Sequence, residues 1–176
     1  MNKKIEATKR YNETAKLYDK RYRDIQIRKY QEVIPEITIN DTDLIIDIGG
    51  GTGLLSEYLQ NNSKNIFICD LSFEMLKEGK RKHWGGHYLC ADSESLPFRN
   101  NCCELVCYFS IFQNLESPDL SLSEGYRILK SKGRVIITVL KKLFTQEMLK
   151  DKLNQFIIEK NWELTIEDFA FIGKKK

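Results

Sequence analysis

Apolar residues in this chain gather into short unbroken runs, separated by stretches with helical spacing. The runs at 44–48, 66–69, 88–91, 105–109 and 134–140 predict strands, the last rich in β-branched residues. Only Asp47 interrupts the first. Periodicity predicts helices over 9–22, 25–37, 52–60, 73–82 and 120–129, and a last long helix over 145–160. Local signals place their ends. Pro35 ends the second helix, Asn61-Asn62-Ser63 stops the third, and Ser131-Lys132-Gly133 closes the fifth with glycine. Ser72 is the expected N-cap of the fourth, with Glu74 in its first turn to suit the helix dipole. Residues 162–169 alternate in part and 171–175 follow, which predicts one or two final strands.

Short all-apolar strands alternating with helices imply a mainly parallel sheet covered on both faces. The expected fold is α/β, Rossmann-like and doubly wound, with about six or seven strands. The chain has 176 residues, 41% hydrophobic and 30% charged, which suits one packed domain and excludes a disordered chain or a disulfide miniprotein. Its three prolines, Pro35, Pro97 and Pro118, mark no linker. Residues 1–40 read as a helical arm or lid packed on a domain formed by 41–176.

The net charge of +3 does not by itself announce a nucleic-acid partner. The charge is uneven, however. Lys3, Lys4, Lys9, Arg10, Lys16, Lys20, Arg21, Arg23, Arg28 and Lys29 face only Glu6, Glu13, Asp19 and Asp24 in the first 30 residues. No run approaches a membrane span and no apolar segment follows the basic N-terminus, so neither a membrane anchor nor a signal peptide is expected. Cys69, Cys90, Cys102, Cys103 and Cys107 lie in apolar runs, as reduced thiols of a cytoplasmic protein do. With Cys102-Cys103 adjacent and His83 and His87 isolated, no metal site is expected.

In such sheets ligands sit beyond the carboxyl ends of the strands, at the switch point. After the first strand comes Asp47-Ile48-Gly49-Gly50-Gly51-Thr52-Gly53, a turn whose glycines let a ligand approach bare backbone ahead of a helix. A dinucleotide fingerprint would need a third glycine where Leu54 stands, and no Gly-Lys-Ser/Thr follows, so a P-loop is excluded. After the second strand, Asp70 suits the vicinal hydroxyls of a ribose. After the third, Asp92 suits an exocyclic adenine amine and the Ser93 backbone the ring edge. Leu71, Met75 and Phe98 are candidate apolar walls. After the fourth, Ser110-Ile111-Phe112-Gln113-Asn114 lies where a substrate would meet the reactive end of a cofactor.

Together the segment 44–53, Asp70-Leu71-Ser72-x-x-Met75-Leu76, Ala91-Asp92-x-x-x-Leu96-Pro97-Phe98 and Glu124-x-x-Arg127-Ile128-Leu129-Lys130 resemble class I S-adenosylmethionine-dependent methyltransferases. The likeness is greatest to the type-11 group that includes ubiquinone and menaquinone methyltransferases. It covers residues 8–140, and makes 41–176 the methyltransferase domain. It implies S-adenosylmethionine as cofactor, with the methionine end held by Gly49, Gly51, Gly53 and the start of the next helix. Asp47 would orient that turn or bond the amino group. Tyr11 and Tyr18-Asp19 resemble a tyrosine-containing segment folded over the cofactor, and Ser110 borders it. Two departures stand out: Ser131-Lys132-Gly133 replaces Pro-Gly-Gly, and the chain after residue 140 is short.

The implied reaction is in-line attack of an acceptor on the sulfonium methyl, with the protein supplying position and a dry site. Tyr11, Tyr18, Asp19, Gln113 and Asn114 are candidates for a general base, while Gln113 and Asn114 equally suit a helix cap. The amino-methyltransferase signature Asn-Pro-Pro-Tyr is absent. A small-molecule acceptor is favoured, with RNA or protein acceptors open. A cofactor- or partner-binding module without catalysis is the competing class. A nicotinamide oxidoreductase is disfavoured by Leu54.

Overall fold

The structure is a computed structural model that describes residues 3–59 and 65–176. Seven strands form one sheet in the order β3-β2-β1-β4-β5-β7-β6. Strands β1 (Ile45–Ile48), β2 (Ile66–Asp70), β3 (His87–Cys90), β4 (Cys103–Phe109) and β5 (Leu129–Leu140) run parallel. Strand β7 (Asp168–Lys175) pairs antiparallel with β5, and β6 (Phe156–Glu163) completes the edge as its hairpin partner. The order reverses between β1 and β4, so a crevice opens beyond their carboxyl ends.

The central strands are largely apolar because both faces are covered. Ile46, Ile48, Val106, Tyr108 and Ile137 point to one layer, where Leu122 of α4 (Pro118–Ile128) and Leu149 of α5 (Gln146–Lys152) meet them. Ile45, Cys107, Ile136 and Ile172 point to the other. There they meet Tyr30 and Val33 of α1 (Lys3–Val33), Leu55 and Leu59 of α2 (Leu54–Leu59), and Leu76 of α3 (Phe73–Arg81). Strand alternation puts Asp47 on the second face, beneath the first helix. Ser72 caps α3 as expected, its Oγ accepting from Met75 N at 3.3 Å.

Several elements differ from their sequence-based expectations. The two N-terminal helices are one continuous 31-residue helix, because no proline or glycine breaks the chain before Pro35. The long helix over 145–160 stops at Lys152, and residues 156–163 are instead strand β6. There Phe156 is buried and Ile157 exposed, the alternation of an edge strand paired on β7. The final strands are thus 156–163 and 168–175, with a turn through 164–167 where a strand over 162–169 was expected. Ser131-Lys132-Gly133 lies within β5, opposite a register shift at Cys103/Leu105, with Lys132 at φ +66°. The expected stop at Asn61-Asn62-Ser63 lies outside the described residues. Four cysteines are buried as expected, but Cys90 is exposed on the edge strand; none is in a disulfide.

Helix α3 rests on the turn after β1 through Gly79, where a Cβ would come within 2.3 Å of the Thr52 carbonyl oxygen. Backbone cannot yield as a flexible side chain does. Gly79→Ala is therefore expected to destabilise the protein by about 1–3 kcal/mol, measured by thermal or urea unfolding. An unchanged midpoint would show that this contact is slack.

Candidate functional site

The turn after β1 takes backbone shapes that require glycine: Gly49, Gly51 and Gly53 have φ of +72°, +56° and +82°. Gly49 and Gly50 N–H groups donate to the Cys69 carbonyl at 2.7 and 3.1 Å, tying the turn to β2. At Gly51 a Cβ would meet Met75 Cε at 2.8 Å and lie 3.9 Å from Asp70 Oδ2. At Gly49 it would strike the Ile111 side chain at 2.7 Å, so the turn also packs against the segment after β4.

These elements enclose a cavity of about 100 Å³ beneath the first half of α1. Its floor is Gly49, Gly51, Asp70, Leu71 and Met75. One side is Asp92 and Ser93, the other Ser110, Ile111 and Asn114, and the roof is Lys4, Thr8, Tyr11 and Tyr18. Asp70 sits at the centre. Its Oδ2 accepts from Gly51 N at 2.9 Å and its Oδ1 from Ser72 N at 2.8 Å. Burial raises its pKa to about 6, while the backbone donors of Ser72, Gly51 and Leu71 pull the other way. Asp92 is pulled upward by burial, but the Lys4 ammonium at 2.8 Å and the Glu94 N–H outweigh this and hold it below the usual range. Lys4 also bonds Glu94 at 2.8 Å.

Not every expected residue reaches the cavity. Gly53 is bare because the Tyr88 hydroxyl lies 2.6 Å from where a Cβ would be, a packing role. Asp47 is buried under the turn, its Oδ2 within 2.5 Å of a Cβ built at Gly50, and burial followed by repulsion from Asp70 raises its pKa to about 8. Phe98 packs edge-on against Phe67 at 5.4 Å and forms no wall. Asp19 accepts from Thr52 Oγ1 at 2.6 Å and pairs with Lys82, fastening α1 to the turn and to α3; it does not line the cavity. Gln113 donates to the Ser110 carbonyl and also lies outside. Neither Gln113 nor Asn114 caps the next helix; Ser117 does. Tyr18 does line the cavity, its hydroxyl accepting from Gln26 Nε2 at 3.3 Å and its pKa raised by burial.

Two residues without a sequence signal, Lys29 and Asp168, complete the site around Ser110. Ser110, at φ +54°, donates its hydroxyl to Asp168 Oδ2 at 2.7 Å and accepts from Lys29, while its N–H donates to Thr138 Oγ1 at 3.1 Å. Lys29 and Asp168 are 3% and 1% exposed and 3.0 Å apart. Burial lowers the Lys29 pKa and Asp168 opposes it. The Ser110 hydroxyl is therefore committed to the protein, while the residue itself lines the cavity as expected of a position bordering it. Lys29 was one basic residue among ten and Asp168 one acid before an apolar run, so neither stood out. Among the described residues no cluster of His, Cys, Asp or Glu is arranged to hold a metal ion, and no helix is long and apolar enough to cross a membrane.

A family model described as a methyltransferase domain, of type 11, matches residues 46–137. The malonyl-[acyl-carrier protein] O-methyltransferase of Marinomonas sp. is 33% identical over 78% of this chain and 52% of its own. The chain spans about half the length of the curated relatives it matches. A methyltransferase solved in complex with the Trm112 activator of Haloferax volcanii superposes with TM-score 0.84 at 15% identity, covering 94% of this chain and 97% of that one. Magnesium protoporphyrin IX methyltransferase of Synechocystis, solved with bound S-adenosylmethionine, gives TM-score 0.78 at 17% identity over 100% and 98%. At these identities the two structures establish the shared fold.

A carboxylate accepts hydrogen bonds from hydroxyl donors best when ionised. Asp70, raised to about 6, gains that state as the pH rises through 6. S-adenosylhomocysteine affinity is expected to fall about tenfold from pH 7 to pH 5, and Asp70→Asn to bind weakly with a flat profile. Titration calorimetry across that range checks this; a flat wild-type profile contradicts it.

Proposed function

The chain belongs to the type-11 methyltransferase-domain family, and from that premise we propose that it is an S-adenosylmethionine-dependent methyltransferase acting on a small-molecule acceptor. The observation that carries the reading is the convergence, in one cavity, of Gly49 and Gly51, the Asp70 carboxylate and Asp92. These groups fit the donor in kind: bare backbone for its amino-acid end, a carboxylate for its ribose, a second for its adenine amine.

Bound there, S-adenosylmethionine supplies an electrophilic methyl group. The protein's part is placement. Asp70, fixed by Gly51 and Ser72, holds the ribose. Leu71 and Met75 pack the adenine, and Asp92 takes its amine. The Lys4 ammonium now occupies that acceptor, so Lys4 withdraws from Asp92 as the nucleoside enters, with Glu94 left as its partner. Helix α1 acts as the lid over domain 41–176, and its Tyr11 and Tyr18 exclude water from the acceptor side. Holding donor and acceptor in line accounts for up to roughly 7–11 kcal/mol of the barrier. Among the described residues that line the cavity none is placed as a strong base, which favours an acceptor that attacks unaided. The buried thiols Cys69, Cys102, Cys103 and Cys107 support a cytoplasmic setting.

Calorimetry should show S-adenosylhomocysteine binding and no NAD binding, and Asp70→Ala should weaken the former by about 1–3 kcal/mol. Radiolabelled methyl transferred to a cell extract should appear in the small-molecule fraction. Tighter binding of NAD would overturn the reading. Cofactor binding with no transfer to any fraction would leave a binding module, and label confined to RNA or protein would redirect the acceptor class.

A further inference from the structure

The cavity wall between α1 and the segment after β4 ends in a chain of hydrogen bonds with one fixed polarity. Arg10 Nη2 donates to Asn114 Oδ1 at 2.9 Å. A guanidinium has no acceptor, so this bond fixes which end of the amide is oxygen. Asn114 Nδ2 then donates to the Tyr11 hydroxyl at 3.2 Å. The Tyr11 oxygen is thus already accepting, and its O–H is left to donate. The Arg10 guanidinium lies over the Tyr11 ring, 5.0 Å from its centroid, so its plane is held from two sides. Tyr11 and Asn114 both line the cavity, and Arg10 stands exposed at its mouth.

Among the described residues Arg10 shares the lack of an acidic partner with Arg21, Arg28 and Arg99, and of these four it alone bonds a residue that lines the cavity. Arg23, Arg81, Arg127 and Arg134 each pair with a glutamate. Among the described residues no carboxylate lies within ion-pairing distance of Arg10. The neighbouring hydroxyl of Ser110 is spent on Lys29 and Asp168. What Arg10 and Tyr11 present at the mouth is a set of donors, the remaining N–H groups of the guanidinium and the O–H of the phenol. Such a set is complementary to an oxyanion and rejects a neutral donor.

Building on the methyl-transfer reading, we propose that Arg10 and Tyr11 form an anion-binding subsite that holds the methyl acceptor by a carboxylate or phosphate group. Arg10 is then a specificity-determining residue for the acceptor, with Asn114 positioning it.

The test uses the full chain, radiolabelled S-adenosylmethionine and a small-molecule cell extract split on an anion exchanger. Methyl-accepting activity is expected in the retained fraction. With that fraction, Arg10→Gln should raise the half-saturating amount about tenfold, Arg10→Lys should recover part of the loss, and S-adenosylhomocysteine affinity should stay unchanged in both. Added salt should raise the half-saturating amount for the wild type and not for Arg10→Gln, a response that a merely structural arginine would not give. Phosphatase treatment separates the sources: loss of acceptor activity marks a phosphate, survival a carboxylate. Acceptor activity confined to the unretained fraction overturns the proposal and leaves methyl transfer standing, as does an Arg10→Gln protein that saturates like the wild type. Transfer to macromolecules alone, or to nothing while S-adenosylhomocysteine binds, removes the small-molecule acceptor and the proposal with it. Absence of S-adenosylhomocysteine binding overturns the underlying reading first.

Discussion

The Asp70 carboxylate is where three elements are joined. One oxygen takes the Gly51 N–H of the turn after β1, and the other takes the Ser72 N–H at the start of α3. The side chain itself ends β2. Any shift of this group moves the turn, the cap of α3 and the floor of the cavity together. The arrangement has a cost, since burial makes the charged form harder to keep and raises the pKa to about 6. A carboxylate whose charge is stabilised only by backbone donors is receptive to further donors, which is what a ribose brings.

Helix α1 is fastened to this floor at its middle and near its C-terminal end. Asp19 reaches Thr52 and Lys82, and Lys29 reaches Ser110 and Asp168. Burying the Lys29–Asp168 pair is not in itself strongly stabilising, because desolvation offsets attraction. Breaking it by removing one partner would leave a buried charge, at about 3–5 kcal/mol. Its value is therefore positional. It holds Ser110 at a positive φ that a serine rarely adopts, and so places Ile111 against Gly49. The acceptor wall and the cofactor turn are thereby set at one distance from each other.

The parallel core was legible in the sequence because a strand buried on both faces must be mainly apolar, as β1, β2, β4 and residues 135–140 of β5 are apart from Asp47, Asp70, Glu104 and Thr138. Gly51, Asp70 and Asp92 were legible because polar or bare residues directly after such strands have few structural reasons to be there. The edge was not. Phe156–Glu163 carries charged residues on one face, and its spacing also suits a helix; only pairing with β7 decides its state. Asp19 looked like chemistry and serves as a fastener, while Lys29 and Arg10 looked like solvated charge and do not. A helix periodicity tells which face is buried, but it does not tell which charge on that face finds a partner 80 or more residues away. That depends on the fold of the whole chain.

The basic surplus of the first 30 residues takes on a different meaning in three dimensions. Lys4 is matched by Asp92 and Glu94, Arg23 by Glu57 and Lys29 by Asp168. These cations are absorbed by acids of the domain beneath, so the sequence excess overstates the charge α1 offers to an outside partner. The pairing also orders the helix along its length: Lys4 neutralises the Asp92 side of the cavity, Lys29 is buried beside the wall after β4, and Arg10 between them is left facing the mouth without a carboxylate. Lys9, Lys16, Lys20, Arg21 and Arg28 remain on the exposed side, whereas Lys4, Arg23 and Lys29 are matched to acids of the domain beneath and Arg10 bonds Asn114 of the cavity wall, and this matched inner side argues for α1 as a component of the site.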